Sequence, residues 1–287
     1  MNFLARFLSA LVLIPLVLFS LWKGGVLFNI LIWIAFAIGL WEIFEMAFRG
    51  RARKLEFGRV MATSFFAVAT NFWVLFLCSV LTFGIATPLA FGLLMSLIVG
   101  AYFLLRPELS KEDWEASLVC VAMVPYIGAG LFAMASLRQM APLSHMGLAF
   151  VLLSLIAIWS NDSFAYLVGK LIGRHKMSEA VSPKKTWEGF AGGSIFCVLV
   201  PLAVWVAGSS LDVFAGVNFA DILFVCVPTI ALAPLGDLIE SRIKRLYGVK
   251  DSGKLFPGHG GMLDRIDSIL CVMPWTFFYV EFVRPFI

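Results

Sequence analysis

Long apolar runs broken by short polar stretches dominate the chain. From Val60 to Leu105 no charged residue occurs. As one helix that run would be about 69 Å long, more than twice the hydrocarbon thickness of a bilayer, so it has to cross twice. The break falls between Gly84 and Pro88, where Gly84, Thr87 and Pro88 interrupt the pattern. Alternation with a period of two is weak, and Leu, Ala, Phe and Gly abound, which favours helices over a barrel. Reading runs against breaks along the whole chain predicts an all-α polytopic membrane protein with about nine transmembrane helices. They are Phe7 to Trp22, Val26 to Phe48, Val60 to Phe83, Thr87 to Leu105, Ala116 to Leu137, Met146 to Lys170, Phe190 to Gly208, Ile222 to Arg245 and Leu263 to Val283.

Composition agrees. Apolar residues make up 61% of the 287 and charged residues 14%, and the mean hydropathy is +0.95. A soluble domain carries about a quarter charged residues, so one aqueous core could not bury this chain. The five cysteines (Cys78, Cys120, Cys197, Cys226, Cys271) stand singly inside apolar runs and read as small buried hydrophobes. Arg6 followed by an apolar run resembles a signal peptide, but no small-x-small site precedes Lys23, so this segment is expected to stay as the first helix.

Positive charge sets the orientation. With the N-terminus in the cytoplasm and the C-terminus outside, all of the 22 Lys and Arg except Lys23, Arg138 and Arg284 fall on the cytoplasmic side. Orientation and anionic head groups account for the net charge of +4, so no nucleic-acid partner is implied. The outer connections are short and poor in ionisable groups. Two inner loops, Lys170 to Glu188 and Tyr247 to Gly261, are long and crowded with Lys, Arg, Asp, His and Gly, so chemistry is expected at the cytoplasmic face of the inner membrane. The chain divides into residues 1–145, about five membrane helices, and residues 146–287, the helices that carry both loops.

Acids at membrane depth are costly and point to function by default. Asp162 lies in "IWSNDSFAYLVGK", inside the sixth run. Asp237 lies in "ALAPLGDLIESRIKR", where helical spacing aligns Asp237, Glu240, Ser241 and Lys244 on one stripe and Gly236 lets another backbone approach. Asp264 and Asp267 open the ninth helix three residues apart and share a face. Asp237, Asp264 and Asp267 would repel one another without a cation between them. Mg²⁺ suits a site built from a few carboxylates, water and substrate phosphates. Helix capping accounts for Asp264 alone, but less well for the set.

Between these acids, "KRLYGVKDSGKLFPGHGG" supplies Lys244, Arg245, Lys250 and His259, with Gly260 and Gly261 directly before a helix N-terminus as a phosphate cradle. Gly248 to Lys254 has the Walker A spacing but lacks its Ser/Thr and its strand context, so it is set aside. The other loop contributes Ser182, Lys184 and Lys185 beside Pro183. The cluster Arg49, Arg51, Arg53 and Lys54 reads as a topology signal.

The segment "SRIKRLYGVKDSGKLFPGHGGMLDRID", Ser241 to Asp267, resembles the C-terminal signature of the phosphatidate cytidylyltransferases, or CDP-diacylglycerol synthases. "WSNDSFAYLVGKLIGRHK", "SPKKTWEGFAGG" and "PLGDLIES" resemble further family segments in the expected order. The resemblance implies a Mg²⁺-dependent nucleotidyltransferase of phospholipid biosynthesis. Such an enzyme joins CTP and phosphatidic acid into CDP-diacylglycerol and pyrophosphate, and family members are often homodimers. On this resemblance Asp237, Asp264 and Asp267 hold the metal, with room for a second cation. Lys244, Arg245, Lys250, His259, Gly260 and Gly261 hold CTP phosphates, and Ser182, Lys184 and Lys185 close from the other loop. Asp162 and Asp251 orient a lysine, the metal's surroundings or the cytosine, and Ser241 and Arg265 belong to the same signature. Two other readings stay open: a transporter or flippase for an anionic lipid, and a CTP-dependent polyprenol kinase that transfers the γ-phosphate.

Overall fold

The computed structural model describes residues 15–48, 111–140, 144–178, 182–208, 211–255 and 260–286. The two crossings expected between Val60 and Leu105, the Arg49–Lys54 cluster and His259 lie outside these residues. A helical stretch at 15–23 leads into α1 (Gly25–Phe48), followed by α2 (Lys111–Gln139), α3 (Ser144–Ile172), α4 (Trp187–Ala207), α5 (Phe219–Leu246) and α6 (Leu263–Phe278). Helices dominate because the runs are apolar around their whole circumference, and in lipid a helix satisfies its own backbone. Five described spans are long and apolar enough to cross a membrane: Gly25–Ala47, Met146–Ile172, Trp187–Ala207, Phe219–Leu246 and Leu263–Phe286. They match five of the expected crossings to within a few residues and make this a multi-pass membrane protein. The cysteines among the described residues are unpaired, as their scatter predicts.

The loop after α3 departs from an all-helical reading. It folds back as a small antiparallel hairpin of β1 (Lys176–Ser178) and β2 (Ser182–Thr186), with Lys176 opposite Thr186 and Ser178 opposite Ser182. Glu188 closes its base, accepting from the backbone N–H of Arg174 at 3.0 Å and of His175 at 3.2 Å. The Thr186 hydroxyl caps α4 by accepting from Gly189 N at 3.2 Å. The lysines of this loop are thus held on a short ribbon between two helices.

Packing sets the positions of the acids. The hydrophobic core runs from Leu21 through α1 and α2 to Val280, so the first helices and the last share one interior. Among the described helices, α3 and α4 pack along an extensive contact, where the small residues Gly189, Gly192 and Gly193 of α4 are buried. At Gly236 the backbones of α5 and α6 meet: a Cβ there would lie 3.0 Å from both the carbonyl carbon of Asp267 and Cα of Ser268. The Ser268 hydroxyl reaches across to Ala233 O at 3.1 Å. Asp237 and Asp267 are neighbours because a glycine lets these helices touch.

Two of the three cations that depart from the charge bias have structural work elsewhere. Arg138 donates to the carbonyls of Leu21 at 2.5 Å and Trp22 at 2.6 Å, groups left without helical partners at the end of the 15–23 stretch. Arg284 pairs with the fully buried Asp221 at 2.8 Å and donates to Gly216 O at 2.6 Å.

Candidate active site

Near the C-terminal end of α5, one helical face carries Asp237, Glu240, Ser241 and Lys244, as the spacing predicts. Asp267 of α6 faces it. One carboxylate oxygen from each of Asp237, Glu240 and Asp267 lies within 4.8 Å of the others. Glu240 is buried, with one oxygen held by Lys244 Nζ at 2.7 Å, while Oε1 is enclosed without a hydrogen-bond partner. A buried carboxylate oxygen left this way is costly unless something positive faces it.

Asp264 takes a different place from the one its spacing suggests. Its Oδ1 accepts from Lys244 Nζ at 2.6 Å, and its Oδ2 accepts from Ser252 N at 2.9 Å and Gly261 N at 2.8 Å, with the Ser252 hydroxyl, whose one proton it shares with Glu42, at 3.0 Å. It organises the glycine-rich loop, and among the described residues the close acid triplet contains Glu240 in its stead. Gly260 adopts φ +81°, which suits glycine, and the Gly261 amide expected to cradle phosphate is engaged by Asp264. The Asp267 Oδ1 accepts from the backbone N–H of Ser268 at 2.7 Å.

Lys185 of β2 reaches Asp237 Oδ2 at 2.6 Å, and Ser241 Oγ donates to Asp237 Oδ1 at 3.1 Å. Lys185 pairs with Asp237, Lys244 pairs with Glu240 and Asp264, and Asp267 lies beside them with no ammonium partner among the described residues, so four carboxylates stand against two ammonium groups. Two negative charges remain, the charge of one divalent cation. Three oxygen donors suit a hard ion such as Mg²⁺. The buried orphan oxygen of Glu240 makes the same point, so the residues present fit such an ion.

Two cavities flank the cluster. One of about 490 Å³ lies between α3, the hairpin, α4 and α5, lined by Asp162, Lys184, Lys185 and Asp237 with Tyr166 and Phe190. The other, of about 330 Å³, is formed by residues 248–254 with Glu45 and Met46 of α1, and holds Lys250 and Asp251. The remaining expected residues are scattered. Ser182 sits in the hairpin ladder opposite Ser178, Arg245 donates to Val249 O at 3.0 Å, and Arg265 is exposed.

One residue of this site escaped the sequence reading altogether. Glu42, buried at the cytoplasmic end expected for α1, accepts from Met262 N at 2.8 Å, Leu263 N at 3.0 Å and Ser252 Oγ at 2.8 Å. The available signal was an acid inside an apolar run, the same signal that singled out Asp162 and Asp237.

Comparison with known proteins agrees with the signature. Relatives named phosphatidate cytidylyltransferase include one from Staphylococcus epidermidis, 37% identical over 180 residues, which are 63% of this chain and 64% of the relative. One from Staphylococcus saprophyticus is 38% identical over 186 residues, 63% of this chain and 66% of the relative. One from Staphylococcus aureus is 37% identical over 181 residues, 63% and 64%. The chain thus spans just under two thirds of the length of these relatives. The model of the cytidylyltransferase family matches residues 4–283, nearly the whole sequence, and the chain belongs to the cytidylyltransferase family.

Proposed function

We propose that this protein transfers CMP from CTP to phosphatidic acid, forming CDP-diacylglycerol and releasing pyrophosphate. The observation that carries the reading is the convergence of Asp237, Glu240 and Asp267 within 4.8 Å beside a lysine-bearing cavity, on the segments that resemble the family signature. A phosphate oxygen of the lipid attacks the α-phosphorus of CTP. The new P–O bond forms as the bond between the α-phosphorus and its bridging oxygen breaks, and the electron pair leaves with pyrophosphate. No protein nucleophile is needed, so the protein's task is to hold two anions together and offset their charge.

Asp237, Glu240 and Asp267 are the residues that would hold Mg²⁺. Bound there, the ion supplies charge neutralisation and Lewis-acid polarisation at phosphate oxygens. Asp264 acts one step back by fixing Lys244 and the loop. Lys184 and Lys185 bring positive charge to the larger cavity, whose aromatic lining suits a lipid that approaches from the bilayer. Lys250 and Asp251, with His259 and Arg265 of the same signature, belong to the CTP side. The reading includes nine crossings, an N-terminus and active site facing the cytoplasm at the inner membrane, and a homodimer as the assembly.

The test is turnover in detergent with purified protein, phosphatidic acid and CTP labelled at the α-phosphate. Label that moves into lipid only with Mg²⁺ present supports cytidylyl transfer. Label that stays water-soluble with folded protein refutes it and favours transport or γ-phosphoryl transfer.

A further inference from the structure

We infer that Glu42, from the N-terminal half of the chain, is a positioning residue for the cation site. The inference rests on the reading of Asp237, Glu240 and Asp267 as cation ligands. Glu42 is 3% exposed and lies in a helix whose other buried residues are almost all apolar, so its carboxylate has to be held by several donors. Those donors are the amides of Met262 and Leu263, unsatisfied groups at the start of α6, and the Ser252 hydroxyl. The Met262 position provides no side-chain cap, so a carboxylate 221 residues earlier in sequence than Leu263 caps this helix.

From Glu42 the contacts run without a gap to the acid cluster. Ser252 Oγ lies 2.8 Å from Glu42 Oε2 and 3.0 Å from Asp264 Oδ2. The other oxygen of Asp264 binds Lys244 at 2.6 Å, and Lys244 binds Glu240 Oε2 at 2.7 Å. Holding Glu240 by Oε2 leaves Oε1 buried without a hydrogen-bond partner. Gly261 belongs to the same construction, since a Cβ there would collide with both Ser252 Oγ and the Glu42 carboxylate. Glu42 therefore sets the start of α6, which carries Asp264 and Asp267, and through Ser252 sets the lysine that orients Glu240. Groups that orient ligands in this way commonly alter metal affinity by about 10- to 100-fold.

Glu42→Gln is the sharpest perturbation. Oε1 and Oε2 each accept an N–H, so whichever oxygen becomes an amide sets donor against donor. Ser252→Ala is milder, because it leaves both caps on α6 and the Ser252 N–H on Asp264, and removes only the hydroxyl that bridges Glu42 and Asp264. The measurement is Mn²⁺ binding to the full-length protein in detergent, read from the electron paramagnetic resonance signal of free Mn²⁺. Melting temperature and gel filtration run alongside. The expected result is Mn²⁺ affinity about tenfold weaker in Glu42→Gln and about threefold weaker in Ser252→Ala. A merely structural role would lower the melting temperature and leave affinity per folded molecule unchanged. Wild-type affinity in both folded variants overturns the inference. If Glu42→Gln does not fold, wild-type affinity in Ser252→Ala overturns it. A wild-type protein that binds no Mn²⁺ overturns the cation reading itself, and this inference with it.

Discussion

Replacing Lys244 by Met tests how the acid cluster is held together. The side chain is nearly isosteric up to the ammonium group, so the loss is electrostatic and not one of volume. Lys244 Nζ is shared by Glu240 and Asp264, at 2.7 and 2.6 Å, and all three side chains are at most a tenth exposed. The two acids would respond differently. Asp264 keeps Ser252 N, Ser252 Oγ and Gly261 N, whereas Glu240 loses the partner of Oε2 while Oε1 already lacks one. Breaking a buried pair by removing one partner costs about 3 to 5 kcal/mol. Because one of the two acids stays hydrogen-bonded, the lower end applies. In EDTA, where no divalent ion compensates, Lys244→Met should lose about 3 kcal/mol, a fall in melting temperature on the order of 10 °C. Adding Glu240→Gln removes the stranded charge and should restore about 1 to 2 kcal/mol of it. The assay is thermal unfolding of the purified variants in one detergent. A Lys244→Met variant within about 1 kcal/mol of wild type, or a double variant whose losses simply add, would refute the argument.

Other substitutions follow from the same contacts. Gly236→Ala puts a methyl group against the Asp267 carbonyl, so the α5–α6 contact should open at a cost of about 1 to 3 kcal/mol, and half-maximal turnover should need a higher Mg²⁺ concentration. Arg284→Met leaves Asp221 with Tyr279 OH and Asn218 N alone, and should lower the melting temperature while turnover per folded molecule stays at wild-type level. Thr186→Val removes the cap of α4 and should cost about 1 kcal/mol, measured by thermal unfolding.

The helical architecture was legible because lipid makes the signal simple: a long apolar run is a helix, and costly acids inside it stand out. The stripe Asp237, Glu240, Ser241 and Lys244 could be read from helical period alone, as could the backbone approach at Gly236. What period could not give is the division of roles among neighbouring acids. Asp264 and Asp267 share a face by spacing, yet Asp264 stands at the helix start, where loop amides and Lys244 are within reach. It is drawn to them, and Glu240 completes the triplet with Asp237 and Asp267. The short hairpin was not visible because Ser182 to Thr186 carries no apolar alternation, and its order comes from Glu188 and the Thr186 cap. Glu42 was missed for a related reason: its partners lie more than 200 residues away, and only tertiary packing brings them together.

The measurement that bears most directly on the central claim is the Mg²⁺ dependence of label transfer from CTP to lipid by Asp237→Asn. Its folded state is verified by melting temperature and gel filtration. If Asp237, Glu240 and Asp267 hold the cation, transfer should fall by at least about a hundredfold, because a ligand's loss exceeds that of a group acting through one. A folded variant that keeps full, Mg²⁺-dependent transfer would contradict the assignment.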